Sequence, residues 1–146
     1  MLDPSLAPVV RVTLGFVSLY FAFIAFQSFS KFYLHAKLKA EAKKKGEKPA
    51  AFSAIKYGSK GGRLGLCGDR TVGNTIEQAL VFLPLLWLSA HSSLGPEQTA
   101  FWGWTWLASR AIYPFMFYRG IPFIFISTVP GYVVIARLFA ACVGLC

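Results

Sequence analysis

Four apolar runs decide what this chain can fold into. They lie at about residues 6–30, 71–92, 98–118 and 121–145. A bilayer core is crossed by about 20 mostly apolar residues in a helix, and each run is long enough. Of the 146 residues, 55% are hydrophobic and only 14% are charged, and the mean hydropathy is +0.53. A soluble domain carries about a quarter charged residues, so this chain lacks the polar surface to face water on all sides. The expected fold is an all-α membrane protein, an antiparallel bundle of four transmembrane helices in a single domain over 1–146. The first run is longer than the apolar region of a signal peptide, and no small-residue cleavage site follows it before Lys31, so it reads as a mature helix.

The segments between the runs differ in kind. Residues 31–69 are long, basic and glycine-rich, and eleven of the 15 Lys and Arg fall between Lys31 and Arg70. Basic residues set next to apolar runs read as a cytosolic loop near anionic headgroups rather than as a nucleic-acid surface. The stretch KLKAEAKKK is built from good helix formers and is expected to prolong the first helix. The other two connections, at 93–97 and 119–122, are tight turns marked by Gly and Pro. The Lys/Arg bias then places both termini on the face opposite the basic loop. Arg11 and Arg137 fall near that opposite face, where they are expected to snorkel to headgroups. Pro84, Pro114 and Pro130 are expected to kink their helices. Cys67, Cys142 and Cys146 form neither a disulfide framework nor a zinc motif. His35 and His91 sit at opposite membrane ends, so no metal site is expected.

Polar residues inside the runs carry the functional signal, because ionisable groups at membrane depth are costly and face the bundle interior or a cavity. Arg70, Asn74 and Glu77 stand at i, i+4 and i+7, on one face of the second helix. Glu77 lies about 10 Å below Arg70. The third helix carries Arg110 and Tyr113 at about the same depth as Glu77, with Tyr118 and Arg119 nearer its end. One reading makes Glu77 and Arg110 an interhelical ion pair that only fixes packing. The other makes these groups a crevice, open to the basic side, for an anionic, partly polar small molecule. In that crevice Arg70 and Arg119 would hold carboxylates, Glu77 would accept from an amine, and Asn74 would donate and accept.

The segment from Asp69 to Gln78, DRTVGNTIEQ, resembles the R-x-x-x-N-x-x-E signature of the MAPEG family, the membrane-associated proteins in eicosanoid and glutathione metabolism. Arg110 with Tyr113, then Tyr118, then Gly120 and Pro122, and then Gly131-Tyr132 add further matches in the same order. The resemblance covers nearly the whole chain. It implies a homotrimer of four-helix bundles with glutathione between neighbouring subunits at the cytosolic side. It implies that Arg70, Asn74 and Glu77 bind glutathione, with Arg110 and Tyr113 close by.

One departure stands out. Active members place an arginine near the start of the last helix, where it stabilises the glutathione thiolate. Here Ile121 to Ser127 offers no basic side chain. Arg119 or Arg110, or the hydroxyl of Tyr118 or Ser127, is left for that role. The resemblance therefore implies a glutathione transferase or peroxidase acting on an apolar electrophile or lipid hydroperoxide. The alternative is a non-catalytic binding or scaffold subunit of a larger membrane complex. A channel or transporter fits less well, since paired broken helices are lacking. The family points to the endoplasmic reticulum or a related endomembrane, with an organellar membrane as the other placement.

Overall fold

The computed structural model describes residues 3–57 and 61–144, and every regular element among them is helical. Leu145, where the fourth run was expected to end, Cys146, and positions 58–60 of the glycine-rich stretch lie outside the described residues. The helices are α1 (Ala7–Lys45), α2 (Phe52–Lys56), α3 (Gly62–Ser89), α4 (Gly95–Arg119) and α5 (Ile124–Val143), preceded by a short 3-10 turn, Pro4–Leu6.

Local chemistry explains where these helices start and stop. Asp3 caps the 3-10 turn, its carboxylate accepting from the Ser5 N–H at 2.9 Å. That bond holds the Asp3 carboxyl below its usual pKa. Pro8 occupies the first turn of α1, where a missing N–H costs nothing. The helix runs unbroken through KLKAEAKKK, as its helix-forming residues predict, with Lys43, Lys44 and Lys45 at the negative end of its dipole. Gly46 ends it with φ 69°, and the Glu47 N–H closes back on the Ala42 carbonyl at 2.9 Å. That is the six-to-one bond of a Schellman cap, for which Gly is the favoured residue. At the far end of α4, Gly120 takes φ 93° and returns its N–H to the Met116 carbonyl.

The glycine-rich end of the basic segment is not a loop. Gly62 to Asp69 form the first two turns of α3. Gly68 serves close helix packing. A Cβ at Gly68 would meet the Gln27 backbone and the Ser30 hydroxyl of α1 at 3.1 Å. Small residues let membrane helices approach this closely. The cost of Gly within a helix is offset by the contacts it permits.

The core forms where α1, α3, α4 and α5 meet. Val9, Val12, Phe82, Leu86, Trp106 and Leu138 are fully buried there. The rings of Phe82 and Trp106 stack at 3.9 Å. Gly103 receives Val12 and Leu86, whose methyls would stand within 3 Å of any Cβ placed there. Outside this core the helices present large apolar side chains. Phe21 is 66% exposed and Leu80 73%, a surface suited to lipid.

Among the described residues three helical stretches are long and apolar enough to cross a membrane: Pro4–Lys45, Gly62–Ser89 and Ile124–Val143. The third expected span falls within α4, which has the length, 25 residues, but is not among the three. Its Trp102, Trp104, Trp106, Tyr113 and Tyr118 are amphipathic rings that lower its hydropathy. Pro84, Pro114 and Pro130 all lie inside helices.

Candidate functional site: a charged cleft on α3

The 3.6-residue period of α3 sets Arg70, Asn74 and Glu77 along one face. Arg70 and Glu77 are exposed and Asn74 is half-buried. With Leu66, Asp69 and Gly73 they line a cleft of about 590 Å³, closed on its inner side by Tyr113 and Phe117 of α4. Four of the residues singled out in the sequence, Arg70, Asn74, Glu77 and Tyr113, are thus brought together.

Arg110 stands behind this cleft and lends it rigidity. It is fully buried. Its Nη1 donates to Asn74 Oδ1 at 2.8 Å, and its Nη2 donates to the Ser127 carbonyl at 2.7 Å. Its Nε reaches the Ser109 hydroxyl at 3.4 Å. The guanidinium also lies over the Tyr113 and Trp106 rings, at 5.4 and 5.9 Å. One fork thereby ties α3, α4 and α5 together. A buried cation is tolerated where its N–H groups are satisfied, and the planar geometry of arginine suits this. Gly131 makes the arrangement fit: a Cβ there would stand 2.8 Å from Arg110 Nη2.

The ion pair between Glu77 and Arg110 is absent. Asn74, one turn before Glu77, takes the guanidinium instead. Among the described residues the one ion pair joins Lys31 of α1 to Asp69, at 2.6 Å. Gln27 donates to the same carboxylate oxygen at 2.7 Å. Lys31 also reaches the Lys56 carbonyl at 3.4 Å, fastening α2. Asp69 therefore anchors the upper rim of the cleft. The sequence reading passed over Gln27, Lys31 and the Ser127 carbonyl. Only the position of Asp69 directly before Arg70 hinted at this clamp.

Tyr118 and Arg119 do not line the cleft. They border a separate apolar groove between α1 and α4. Ser127 is buried, and its hydroxyl donates to the Ile124 carbonyl at 3.0 Å. It contributes to the site through its backbone carbonyl. Among the described residues no three His, Cys, Asp or Glu are grouped closely enough to hold a metal.

The cleft brings four chemical groups together. It offers a cation and a carboxylate two turns apart, an amide fixed in orientation between them, and a phenol at its inner wall. That set suits a zwitterionic ligand with carboxylates and an amine.

No curated protein and no solved structure matches the chain. A family model does, over residues 11–144, which takes in all four long helices almost completely. The apolar helices and this match make the chain a membrane protein of the eicosanoid and glutathione metabolism type. The chain belongs to the MAPEG family.

Proposed function

We propose that this protein is a glutathione-dependent membrane enzyme that conjugates an apolar electrophile or reduces a lipid hydroperoxide. The observation that carries the proposal is the state of Arg70 and Glu77. Both are exposed, and neither joins an ion pair among the described residues. They share their helix with exposed Leu66, Ile76 and Leu80. Two unpaired charges on an apolar face at membrane depth are costly unless a ligand or a neighbouring chain meets them.

Glutathione fits that need. It brings two carboxylates, one ammonium and one thiol. Arg70 takes a carboxylate through a charge-assisted pair, Glu77 takes the ammonium, and Asn74, held by Arg110, fixes the peptide between them. The Tyr113 phenol donates to the sulfur and favours the thiolate, the form that reacts. The thiol proton passes to water. In conjugation, the S–C bond forms while the leaving group departs with its electron pair. In peroxide reduction, two glutathiones become the disulfide while the hydroperoxide becomes an alcohol and water. The protein contributes proximity and the Tyr113 hydrogen bond to the developing thiolate, and the membrane concentrates the apolar partner.

In this reading α4 also crosses the membrane, so that a single domain spans it four times with the basic segment in the cytosol. Three copies pack with their α3 faces inward, and glutathione lies between neighbours. The endoplasmic reticulum or a related endomembrane is the proposed location.

The test is glutathione conjugation to a chlorodinitrobenzene-type electrophile by the purified full-length protein. Turnover at least tenfold above that of Arg70→Ala is expected. No turnover above that variant rejects the enzyme. A second reading, a non-catalytic binding or scaffold subunit, is favoured by the start of α5: it bears no cation, and Arg110 is committed to Asn74 and Ser127. Copurification in a fixed ratio with other membrane proteins, without bound glutathione, would select it.

A further inference from the structure

A second concavity, about 690 Å³, runs along the seam between α1 and α4. Phe23 and Phe26 form one wall, Phe115, Met116 and Ala111 the other, and Leu64, Cys67 and Pro114 the floor. The Cys67 thiol is spent on the floor itself, donating to the Pro114 carbonyl at 3.3 Å. The groove is apolar along its length and charged at one end, where Arg119 and Tyr118 border it. Arg63 joins them there. Its guanidinium lies 5.6 Å from the centre of the Tyr118 ring and against Gly120, where a Cβ would stand 2.6 Å from Nη2. Neither Arg63 nor Arg119 joins an ion pair among the described residues.

We infer that this groove holds an acyl chain of an anionic phospholipid, with the lipid phosphate on Arg63 and Arg119. The inference rests on the membrane character of the protein and not on glutathione chemistry. Three features argue for this occupant. First, the walls offer an acyl chain nothing but apolar contact, and from Ala111 to Arg119 the helix rises about 12 Å, room for a good part of a chain. Second, the charged end lies at the end of α4 and the start of α3, the chain's most basic stretch being the segment 31–70 that leads into α3, and basic residues next to apolar helices attract anionic headgroups. Third, two guanidiniums without a carboxylate partner match a phosphate bidentately. A headgroup that adds its own cation would meet like charge, whereas an anionic one would not.

The test uses the full-length protein, delipidated in detergent and incubated with equimolar dioleoyl phosphatidylglycerol and dioleoyl phosphatidylcholine. Native mass spectrometry then counts the lipid retained per chain. The expected result is a retention ratio of at least fivefold in favour of phosphatidylglycerol. The double change Arg63→Gln and Arg119→Gln should bring that ratio to within twofold of one. Filling the groove with Ala111→Trp should lower retention of both lipids. Equal retention of the two lipids by the unaltered protein would overturn the inference whatever the variants do. So would a ratio that survives the double change. Displacement of the lipid by soluble glycerol phosphate would overturn the acyl-chain assignment.

Discussion

Arg110 Nη1 donates to Asn74 Oδ1 across 2.8 Å, and through this bond a fully buried cation on α4 orients an amide in the open cleft of α3. The same guanidinium holds the Ser127 carbonyl of α5 at 2.7 Å. The cleft therefore inherits its shape from the packing of three helices.

Removing that fork should cost both stability and binding. Arg110→Met would leave Asn74 and the Ser127 carbonyl without their donor. Losing two hydrogen bonds donated by a charged group costs about 3 kcal/mol. Thermal unfolding in detergent should show the loss. Arg110→Lys should recover little of it, since one ammonium cannot span both acceptors.

Gly131 and Gly73 make a matched pair of tests. A Cβ at 131 would press on Arg110 Nη2 at 2.8 Å, while a Cβ at 73 would meet nothing within 4 Å. Gly131→Ala should destabilise by about 1–3 kcal/mol through overpacking. Gly73→Ala should stabilise α3 by about 0.5–1 kcal/mol through helix propensity. Yet because Gly73 lines the cleft, the same change should weaken glutathione binding. Unfolding midpoints and ligand affinity, measured on both variants, separate the two effects.

The contrast between these residues shows what could be read in advance. The i, i+4, i+7 spacing was enough to put Arg70, Asn74 and Glu77 on one face, because helical period alone governs that. The extension of α1 to Lys45 followed from helix propensity. The partner of Arg110 was not legible: it depends on helix rotation and on a backbone carbonyl, and no side-chain pattern encodes either. Charge complementarity suggested Glu77, and geometry chose Asn74. Nor was the helical state of Gly62 to Asp69 legible. Glycines punctuate loops and also thin helices for close packing, and only the position of Gln27 and Ser30 opposite Gly68 distinguishes the two. Tyr118 and Arg119 follow Arg110 and Tyr113 closely in sequence, yet they border another groove.

The rim of the cleft should respond to the Lys31–Asp69 pair. Asp69→Asn keeps an acceptor for Gln27 but removes the charge facing Lys31. Asp69 is 45% exposed on its side-chain surface, so solvent screens the pair and the expected cost is about 1 kcal/mol. Because Lys31 also holds the Lys56 carbonyl, hydrogen exchange in α2 should quicken. Unchanged exchange there would mean that Lys31 does not fasten α2.

On the proposed function, the unpaired Arg70 and Glu77 of α3 await glutathione. Calorimetric titration of glutathione into the full-length, detergent-solubilised protein tests it most directly. Saturable binding is expected, weakened at least tenfold, about 1.4 kcal/mol, by Arg70→Ala and again by Glu77→Gln. Absence of binding, or binding unaltered by either change, would contradict it.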